Sequence, residues 1–319
     1  TNGCEAMASI AVNVNPELFL TVTPDTLICF GETIQLDANV SGGNNPYDYS
    51  WSPTTGLSDP TDNNPDANPT ATTTYTVTVA DDNNCPISDS VLVEVNPELT
   101  ADAGNDTLIC FGDTAQLGVS VNGGTAPFSY SWSPGGSLSS QTTQNPLAFP
   151  TSTQTYIVTI TDANNCETTD TVTVNVNPEL VADAGPNDTI CFGDDAFLNA
   201  TVTGGTPLFN YSWTPTTGLS NPGAPSLLAS PTTTTTYYLE VTDSVGCAAN
   251  DSVTISVNPE IVADAGNDTL ICFGTNAQLD GSATGGTSPF SYSWSPSSGL
   301  SDATLSLIHI SEPTRPSTI

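Results

Sequence analysis

Positive charge is nearly missing from this sequence. The 319 residues include 34 Asp and Glu but only one Lys or Arg, which is Arg315, and one His, which is His309. Proteins that bind nucleic acid or anionic membranes need Lys or Arg to neutralise phosphates, so we expect neither partner. A Ser–His–Asp or Cys–His site needs a base, and the sequence before its last residues has none. Hydrolysis by paired carboxylates is the one catalytic chemistry left open.

Two further absences concern metal sites and membranes. The eight cysteines include no Cys-x-x-Cys spacing, so the sequence offers neither a zinc ribbon nor a thioredoxin-type motif. No apolar run approaches the length of a membrane span. Eight cysteines in so polar a chain instead indicate an oxidising compartment. The sequence has no initial Met and no signal peptide, and because its composition requires export, we expect a fragment of a longer exported protein.

The last residues differ in composition from the rest. From Leu305 the chain reads LSLIHISEPTRP, and this stretch contains His309, Glu312 and Arg315. The string resembles a transposase-type sequencing adapter translated in frame. We therefore expect residues 305–319 to be an artefact and exclude them from the fold prediction. The remaining protein has 33 acidic side chains and no Lys, Arg or His.

An 81-residue period is the strongest feature of the sequence. Five kinds of marker share it: the tryptophans, two sets of cysteines, the Asn-Pro pairs and the Gly-Gly pairs. Their positions are Trp51, Trp132, Trp213 and Trp294; Cys29, Cys110, Cys191 and Cys272; Cys4, Cys85, Cys166 and Cys247; Asn15, Asn96, Asn177 and Asn258; and Gly42, Gly123, Gly204 and Gly285. Such a period indicates tandem duplication without net insertion or deletion.

The Asn-Pro pairs mark the boundaries between repeats. We predict three complete β-sandwich repeats: repeat 1 at 17–97, repeat 2 at 98–178 and repeat 3 at 179–259. Residues 1–16 align with the last strand of a repeat, and residues 260–304 align with the first half of one, which we name repeat 4. The chain is therefore expected to begin and end within a repeat.

Short alternating strands are predicted within each repeat. In repeat 2, Ala115, Leu117, Val119 and Val121 fall on one face of a strand with a period of two residues. The valines between 171 and 176 alternate in the same way, and no stretch shows the helical period. Alternating strands punctuated by Gly and Pro predict an all-β fold of tandem immunoglobulin-like (PKD-like) sandwiches, arranged as an elongated rod.

The tryptophan of each repeat has two interpretations. Exposed aromatic rings can stack on sugars, which would make the repeats glycan-binding modules. A tryptophan on a central strand is more often the core anchor of such a sandwich, and each repeat has no other residue of that size. We therefore predict that Trp51, Trp132, Trp213 and Trp294 lie in the cores.

The order of motifs in a repeat resembles a known group of domains. In repeat 2 the sequence ADAGNDTLICFGD begins at Ala101, YSWSP follows at Tyr130, and TVTVNVNP closes the repeat from Thr171. This order resembles the PKD-like and immunoglobulin-like repeats of giant surface proteins in gliding, type IX-secreting bacteria of the Bacteroidetes group. The resemblance covers residues 1–304 and implies an extracellular adhesin or stalk, usually with a C-terminal sorting domain. The PKD motif Trp-x-Phe-Gly-Asp-Gly is replaced by Trp-Ser-Pro, which favours the wider sandwich class over PKD proper.

Two disulfide connectivities fit the cysteine spacing. The first lies within repeats and pairs Cys29–Cys85, Cys110–Cys166 and Cys191–Cys247, which leaves Cys4 and Cys272 unpaired by truncation. The second crosses each junction, as in Cys85–Cys110, and uses all eight cysteines. We favour the first, because the second would fold the last strand of one domain back on the first strand of the next.

Acidic residues recur where repeats meet, and they have two interpretations. The first is that they solvate the surface and prevent aggregation. Alternatively, they bind Ca²⁺, which prefers six to eight oxygen ligands; no other cofactor is expected. The candidate ligands are Glu98, Asp102, Asp106, Glu179, Asp183, Asp188, Glu260, Asp264 and Asp268.

Short Asp-Thr and Asp-Ser motifs resemble the O-glycosylation acceptor motif of the same bacterial group. The resemblance implies candidate acceptors at Thr26, Thr107, Thr189, Thr269, Ser90, Thr171 and Ser252. The alternative is that Asp-Thr simply starts strands.

The sequence favours a non-catalytic stalk or adhesin outside the cell or on its surface. We expect a monomeric rod that contacts surface glycans or other cell-surface proteins, with no nucleic-acid partner and no membrane insertion. The alternatives are glycan-binding modules, or accessory repeats of a secreted enzyme whose catalytic domain lies elsewhere.

Overall fold

The computed structural model describes residue 3 and residues 5–272 and 274–310. Every regular element among the described residues is a β-strand, which confirms the all-β prediction. The chain divides into two compact units, 1–176 and 177–319. The first unit holds repeats 1 and 2, and the second holds repeats 3 and 4.

Repeat 1 contains eight strands in three sheets. The strands are β1 (Leu18–Val22), β2 (Thr26–Ile28), β3 (Ile34–Gln35), β4 (Ala38–Gly42), β5 (Tyr47–Ser52), β6 (Asp66–Ala67), β7 (Thr73–Asp81) and β8 (Pro86–Val95). The four-stranded sheet has the order β2-β8-β7-β5, and the two smaller sheets pair β1 with β4 and β3 with β6.

Repeat 2 has the same eight strands in the same order. They are β9 (Thr100–Asp102), β10 (Thr107–Ile109), β11 (Ala115–Gln116), β12 (Ser120–Asn122), β13 (Ser129–Ser133), β14 (Leu147–Ala148), β15 (Gln154–Thr161) and β16 (Glu167–Val176). The large sheet is β10-β16-β15-β13, with β9 paired to β12 and β11 paired to β14.

Repeat 3 repeats this arrangement in the second unit. Its strands are β17 (Val181–Asp183), β18 (Asp188–Cys191), β19 (Ala196–Asn199), β20 (Thr201–Thr203), β21 (Asn210–Thr214), β22 (Ser226–Ala229), β23 (Thr235–Thr242) and β24 (Ala248–Asn258). Repeat 4 contributes β25 (Ile261–Asp264), β26 (Ala277–Asp280), β27 (Ser282–Gly285) and β28 (Leu307–Ile310), paired β25–β27 and β26–β28.

One edge of each large sheet is parallel, although the other pairings are antiparallel. In repeat 1, β2 runs parallel to β8, with Thr26 opposite Val93 and Ile28 opposite Val95. The amide of Asn96 then donates to the Ile28 carbonyl at 2.9 Å. The end of β2 therefore lies beside the end of β8, where the chain leaves the repeat. The same parallel pairing joins β10 to β16 and β18 to β24.

Each complete repeat has its own core around a tryptophan. Trp51, Trp132 and Trp213 are each 1% exposed. The indole Nε1 of each donates to a backbone carbonyl eleven residues later, at 2.9 to 3.1 Å. The polar edge of the ring is thereby satisfied, and the rest of the ring is free to bury apolar area between the sheets.

Trp294 differs from the core position predicted for it. It is only half-buried, and it lies outside the strands. In the complete repeats the tryptophan strand pairs with the strand that β7 represents, as Trp51 pairs with Val77. The described residues of repeat 4 include no counterpart of β7 or β8, so this side of Trp294 stays open.

The terminal segments also depart from complete sandwiches. Residues 5–16, which align with the last strand of a repeat, form no strand, and Met7, Ile10 and Val14 are 88% or more exposed. Among the described residues they have no counterpart of β7 to pair with. At the other end, β28 pairs with β26 in the position that β22 occupies against β19, and Ile308 is fully buried. The adapter origin of residues 305–319 stays a prediction.

Candidate functional site: the junction between repeats

The junction of repeats 1 and 2 is built on a buried pair of polar side chains. Asn96 follows β8 at the end of repeat 1, and Asp162 follows β15 in repeat 2. The Asn96 amide Nδ2 donates to Asp162 Oδ2 at 2.5 Å. Asn96 is 2% exposed and Asp162 is 5% exposed. The end of one repeat is therefore inserted into a turn of the next.

The Asp162 carboxylate organises that turn. Its Oδ1 accepts hydrogen bonds from the amides of Asn164 and Cys166, at 2.8 and 3.0 Å. Its Oδ2 accepts from the amide of Thr125 at 2.8 Å. Burial raises the pKa of the Asp162 carboxyl, but these donors and Asn96 together outweigh burial and hold the pKa below its ordinary value. The site therefore favours an ionised carboxylate.

The other end of the Asn96 side chain is satisfied as well. Its Oδ1 accepts from Thr125 Oγ1 and from Asn164 Nδ2, each at 2.7 Å. Among the described residues, no buried side-chain nitrogen or oxygen lacks a hydrogen-bond partner. A fully paired buried network of this kind favours a single arrangement of the two repeats, because every alternative would leave polar groups unpaired.

The backbone that links repeat 1 to repeat 2, at Pro97 and Glu98, packs against the Gly-Gly pair. Gly123 and Gly124 have φ of +73° and +60°, values that favour glycine. A Cβ on Gly123 would lie 1.7 Å from the carbonyl oxygen of Glu98, the residue after the Asn-Pro pair. The Gly124 amide donates to the Pro97 carbonyl at 3.2 Å. Only a residue without a side chain lets the linker backbone pass this close.

The same arrangement recurs one period before and one period after. Asn15 donates to Asp81, and Asn177 donates to Asp243 at 2.6 Å. The pKa of the Asp81 carboxyl is lowered, chiefly by the hydrogen bond from the Asn15 side chain. Burial raises the pKa of the Asp243 carboxyl, but hydrogen bonds from backbone amides and from Asn177 outweigh burial and lower it. Three kinds of residue that mark the 81-residue period therefore lie together at the junction: the Asn-Pro pair, the Gly-Gly pair and the cysteine of the Asp turn. The sequence shows them as spacing, and a polar Asn at the end of a valine-rich strand was the available sign of a buried contact.

A disulfide bond adds a covalent link to this junction. Cys29, directly after β2, is bonded to Cys166, at the end of the Asp162 turn, with a Cα–Cα distance of 5.6 Å. This distance lies within the usual range for a disulfide. Cys29 belongs to repeat 1 and Cys166 to repeat 2, so the bond joins consecutive repeats.

The predicted disulfides within repeats are therefore wrong. Cys29 and Cys166 are bonded to each other, and Cys85 and Cys191 are free thiols, so Cys29–Cys85, Cys110–Cys166 and Cys191–Cys247 do not form. The alternative that joined Cys85 to Cys110 does not form either.

The physical reason is the parallel edge of the sheet. Cys85 precedes β8, whereas Cys29 lies beside the end of β8, because β2 runs parallel to it. The ten residues of β8 separate the two sulfurs by about 30 Å. Cys272 is also a free thiol. Cys4 lies outside the described residues.

The structure does not gather the candidate calcium ligands. The described residues contain no group of three or more His, Cys, Asp or Glu placed to hold a metal ion. Several candidates bind backbone amides of the next two residues instead: Asp102, Asp183 and Asp264 each accept from a glycine two residues later, and Asp188 accepts from Thr189. Four others are exposed: Glu98, Glu179, Glu260 and Asp268.

Asp106 shows why an acid at the junction need not imply a cation. Its Oδ1 accepts from the Thr173 amide at 2.8 Å and so extends the parallel edge of the sheet. In repeat 3 the neutral Asn187 occupies this position and accepts from the Thr254 amide at 2.7 Å. A neutral side chain accepts the same hydrogen bond, so this position requires a hydrogen-bond acceptor and does not require a charge.

The candidate glycosylation sites fall into two groups. Ser90, Thr171 and Ser252 are exposed on the last strand of repeats 1, 2 and 3, and Thr189 and Thr269 are exposed as well. Thr26 and Thr107 are half-buried on the parallel edge strands. Their modification stays a prediction.

Two family models match parts of the chain. Residues 180–259, nearly all of repeat 3, match the Ig-like domain described as CHU_C associated. Repeat 3 is immunoglobulin-like. Residues 108–137 in repeat 2 match the SprB repeat. These matches confirm the resemblance to immunoglobulin-like surface repeats. No curated protein matches the sequence of the chain.

Solved structures of tandem immunoglobulin domains are similar to the chain at low sequence identity. The titin domains I67–I69 are 12% identical, cover 77% of this chain and 99% of their own, and give a TM-score of 0.44. Three N-terminal domains of the bacteriophage RB49 outer capsid protein Hoc are 17% identical, cover 76% and 98%, and give 0.35. The insect immune protein hemolin is 15% identical, covers 93% and 92%, and gives 0.28. None of the described residues belongs to an apolar helix of membrane-spanning length.

Proposed function

We propose that this chain is the repeat region of a non-catalytic stalk or adhesin on the outside of a bacterial cell. The observation that carries the proposal is the junction, in which Asn96 and Cys29 of repeat 1 both hold the Asp162 turn of repeat 2. A junction with buried hydrogen bonds and a covalent bond favours a fixed angle between domains. A flexible string of independent modules would need neither.

Charge and the family matches support the outside location. A chain with 34 acidic side chains and almost no basic ones repels other anionic surfaces and stays soluble without a partner. The matched families, the CHU_C-associated Ig-like domain and the SprB repeat, are typical of surface repeats. Surface glycans or other cell-surface proteins are the proposed contacts of the rod.

The burial of the tryptophans argues against glycan stacking at these rings. Trp51, Trp132 and Trp213 are each 1% exposed, so a sugar cannot reach them in the folded repeats. The stalk therefore takes precedence over glycan-binding modules. A catalytic domain elsewhere in the same protein is compatible with a stalk.

Small-angle X-ray scattering of the purified chain tests the rod. Three and a half repeats, each about 35 Å long, give a rod of about 120 Å with a radius of gyration of about 35 Å. A compact chain of this length would have a radius of gyration of about 20 Å. The control is the Asn96→Ala/Asn177→Ala double variant, which should scatter as a flexible string. A compact particle would refute the rod, and identical elongated curves would show that the Asn side chains do not fix the angle between repeats.

Antibody labelling tests the location. An antibody raised against the purified repeats should label intact cells of the source bacterium, and brief external protease treatment should remove the signal. Labelling that requires permeabilised cells would refute a surface stalk.

A further inference from the structure

The disulfide connects two points that are far apart in the sequence and adjacent at the junction. Cys29 lies at the exit end of repeat 1, because β2 ends beside the end of β8. Cys166 lies at the entry end of repeat 2, at the close of the Asp162 turn. The bond spans a sequence separation of 137 residues. Most of both sandwiches is therefore enclosed between the two bonded cysteines.

We propose that the Cys29–Cys166 bond limits how far the repeat pair can be stretched. The inference rests on the proposed stalk function, since only a tethering protein carries tension along its chain. Tension that arrives through β1 and β2 reaches Cys29 and passes through the bond to Cys166. Strands β3 to β15 lie between the two cysteines and then carry no tension.

The limit on extension follows from the length of the covalent path between two fixed positions, with and without the disulfide. Between Glu17 and Glu179, two equivalent exposed positions, the backbone runs through 162 residues. With the bond intact, the shortest covalent path contains about 25 residues, 17–29 and 166–179. At about 3.3–3.6 Å per residue, these paths reach about 530–580 Å and about 80–90 Å when fully extended.

The noncovalent contacts at the junction are weaker than this bond and act before it. The parallel edge between β2 and β8 contains three residue pairs, and the Asn96 network adds a few buried hydrogen bonds. Hydrogen bonds of this kind are far weaker than a covalent S–S bond. The junction is therefore held by hydrogen bonds at low force and by the disulfide once they have broken.

Single-molecule stretching of the full chain tests the proposal. Handles are attached through non-canonical residues at positions 17 and 179, so that the measured extension comes from the path across this junction alone. The oxidised protein should gain no more than about 90 Å of contour length. The Cys29→Ser variant, or the oxidised protein after reductant is added, should gain about 450–490 Å more, the length of the 137 enclosed residues.

The matched control is Cys85→Ser, which removes a free thiol at the position in repeat 1 that Cys166 holds in repeat 2. It should behave as the oxidised parent does. Reduction of the folded parent in place covers the case in which Cys29→Ser fails to fold. A long extension of the oxidised parent would overturn the proposal, as would a short extension that persists after reduction. Because the test is made on isolated molecules, failure of surface labelling would refute the stalk and leave this result standing.

Discussion

Asn96 and Asp162 lie 66 residues apart in sequence and share a buried hydrogen bond of 2.5 Å across the boundary between two domains. Each side chain has its remaining polar atoms paired within repeat 2. The Asn of the Asn-Pro pair therefore belongs by sequence to one repeat and by contact to the next. The fold of repeat 2 is complete only when the end of repeat 1 is in place.

Replacement of Asn96 by Ala should destabilise repeat 2. The change leaves the buried Asp162 carboxylate short of one donor and also removes the acceptor of Thr125 Oγ1 and Asn164 Nδ2. A buried polar group left unpaired costs about 1–3 kcal/mol. Urea unfolding followed by tryptophan fluorescence measures the loss. The matched control is Asn105→Ala at an exposed position, which should change the free energy of unfolding by less than about 0.5 kcal/mol. Equal effects would contradict the role of Asn96.

Acid should weaken the junction through Asp162. Its pKa is lowered in the folded protein, so its contribution to stability is full above the pKa of about 3.9 that the group has when unfolded, and is lost as pH falls through the lower folded value. The Asp162→Asn variant lacks this titration. We therefore expect the stability difference between parent and variant to be largest at neutral pH and to shrink below about pH 4. Urea midpoints measured from pH 7 to pH 3 check this, and a difference that grows with acid would contradict it.

The first glycine of the Gly-Gly pair, Gly123, should not tolerate replacement by alanine. Gly123 and Gly112 both have positive φ, of +73° and +86°, but an added Cβ meets the Glu98 carbonyl oxygen at Gly123 and open space at Gly112. Gly112→Ala should therefore cost about 1–2 kcal/mol from the backbone alone. Gly123→Ala should cost clearly more, because the linker must also move. Thermal unfolding of both variants separates the two contributions, and similar melting temperatures would show that the linker does not pack on Gly123.

Loss of the bond between Cys29 and Cys166 should lower the stability of repeats 1 and 2 together. On the chain-entropy model, a bond across 137 residues restricts the unfolded chain by about 5 kcal/mol. Cys29→Ser should shift the urea midpoint of the first unit downward, and Cys85→Ser should leave it unchanged. A peptide map made without reductant should contain the peptide pair that joins Cys29 to Cys166. A pair that joins Cys29 to Cys85 would contradict the structure.

Much of the fold could be predicted because the period and the alternation of side chains are local features of the sequence. The strands around Trp132 and Val174 are read directly from residues that alternate. Strand direction is different. β2 has only three residues, and nothing in a three-residue strand shows whether its partner is parallel or antiparallel. Because the direction of β2 could not be predicted, Cys29 was expected at the wrong end of the sandwich, and the predicted disulfides were wrong.

The candidate site was harder to predict because it joins residues of different repeats. A count of acids suggested calcium ligands, but acids and amides exchange freely wherever only an acceptor is needed, as Asp106 and Asn187 show. The Asp162 turn carries its motif within five residues, yet the partner that enters it lies in the preceding repeat. A period marks which residues are repeated; it does not state which copy a residue contacts.

Each junction is built from residues of two consecutive repeats, and this has a consequence for how the number of repeats can change. Every period supplies an Asn-Pro exit and an Asp-turn entry in the same order, as the pairs at Asn96 and Asn177 illustrate. Recombination between two copies that adds or deletes whole periods leaves each exit facing a matching entry. The number of repeats can therefore change without any new interface having to arise.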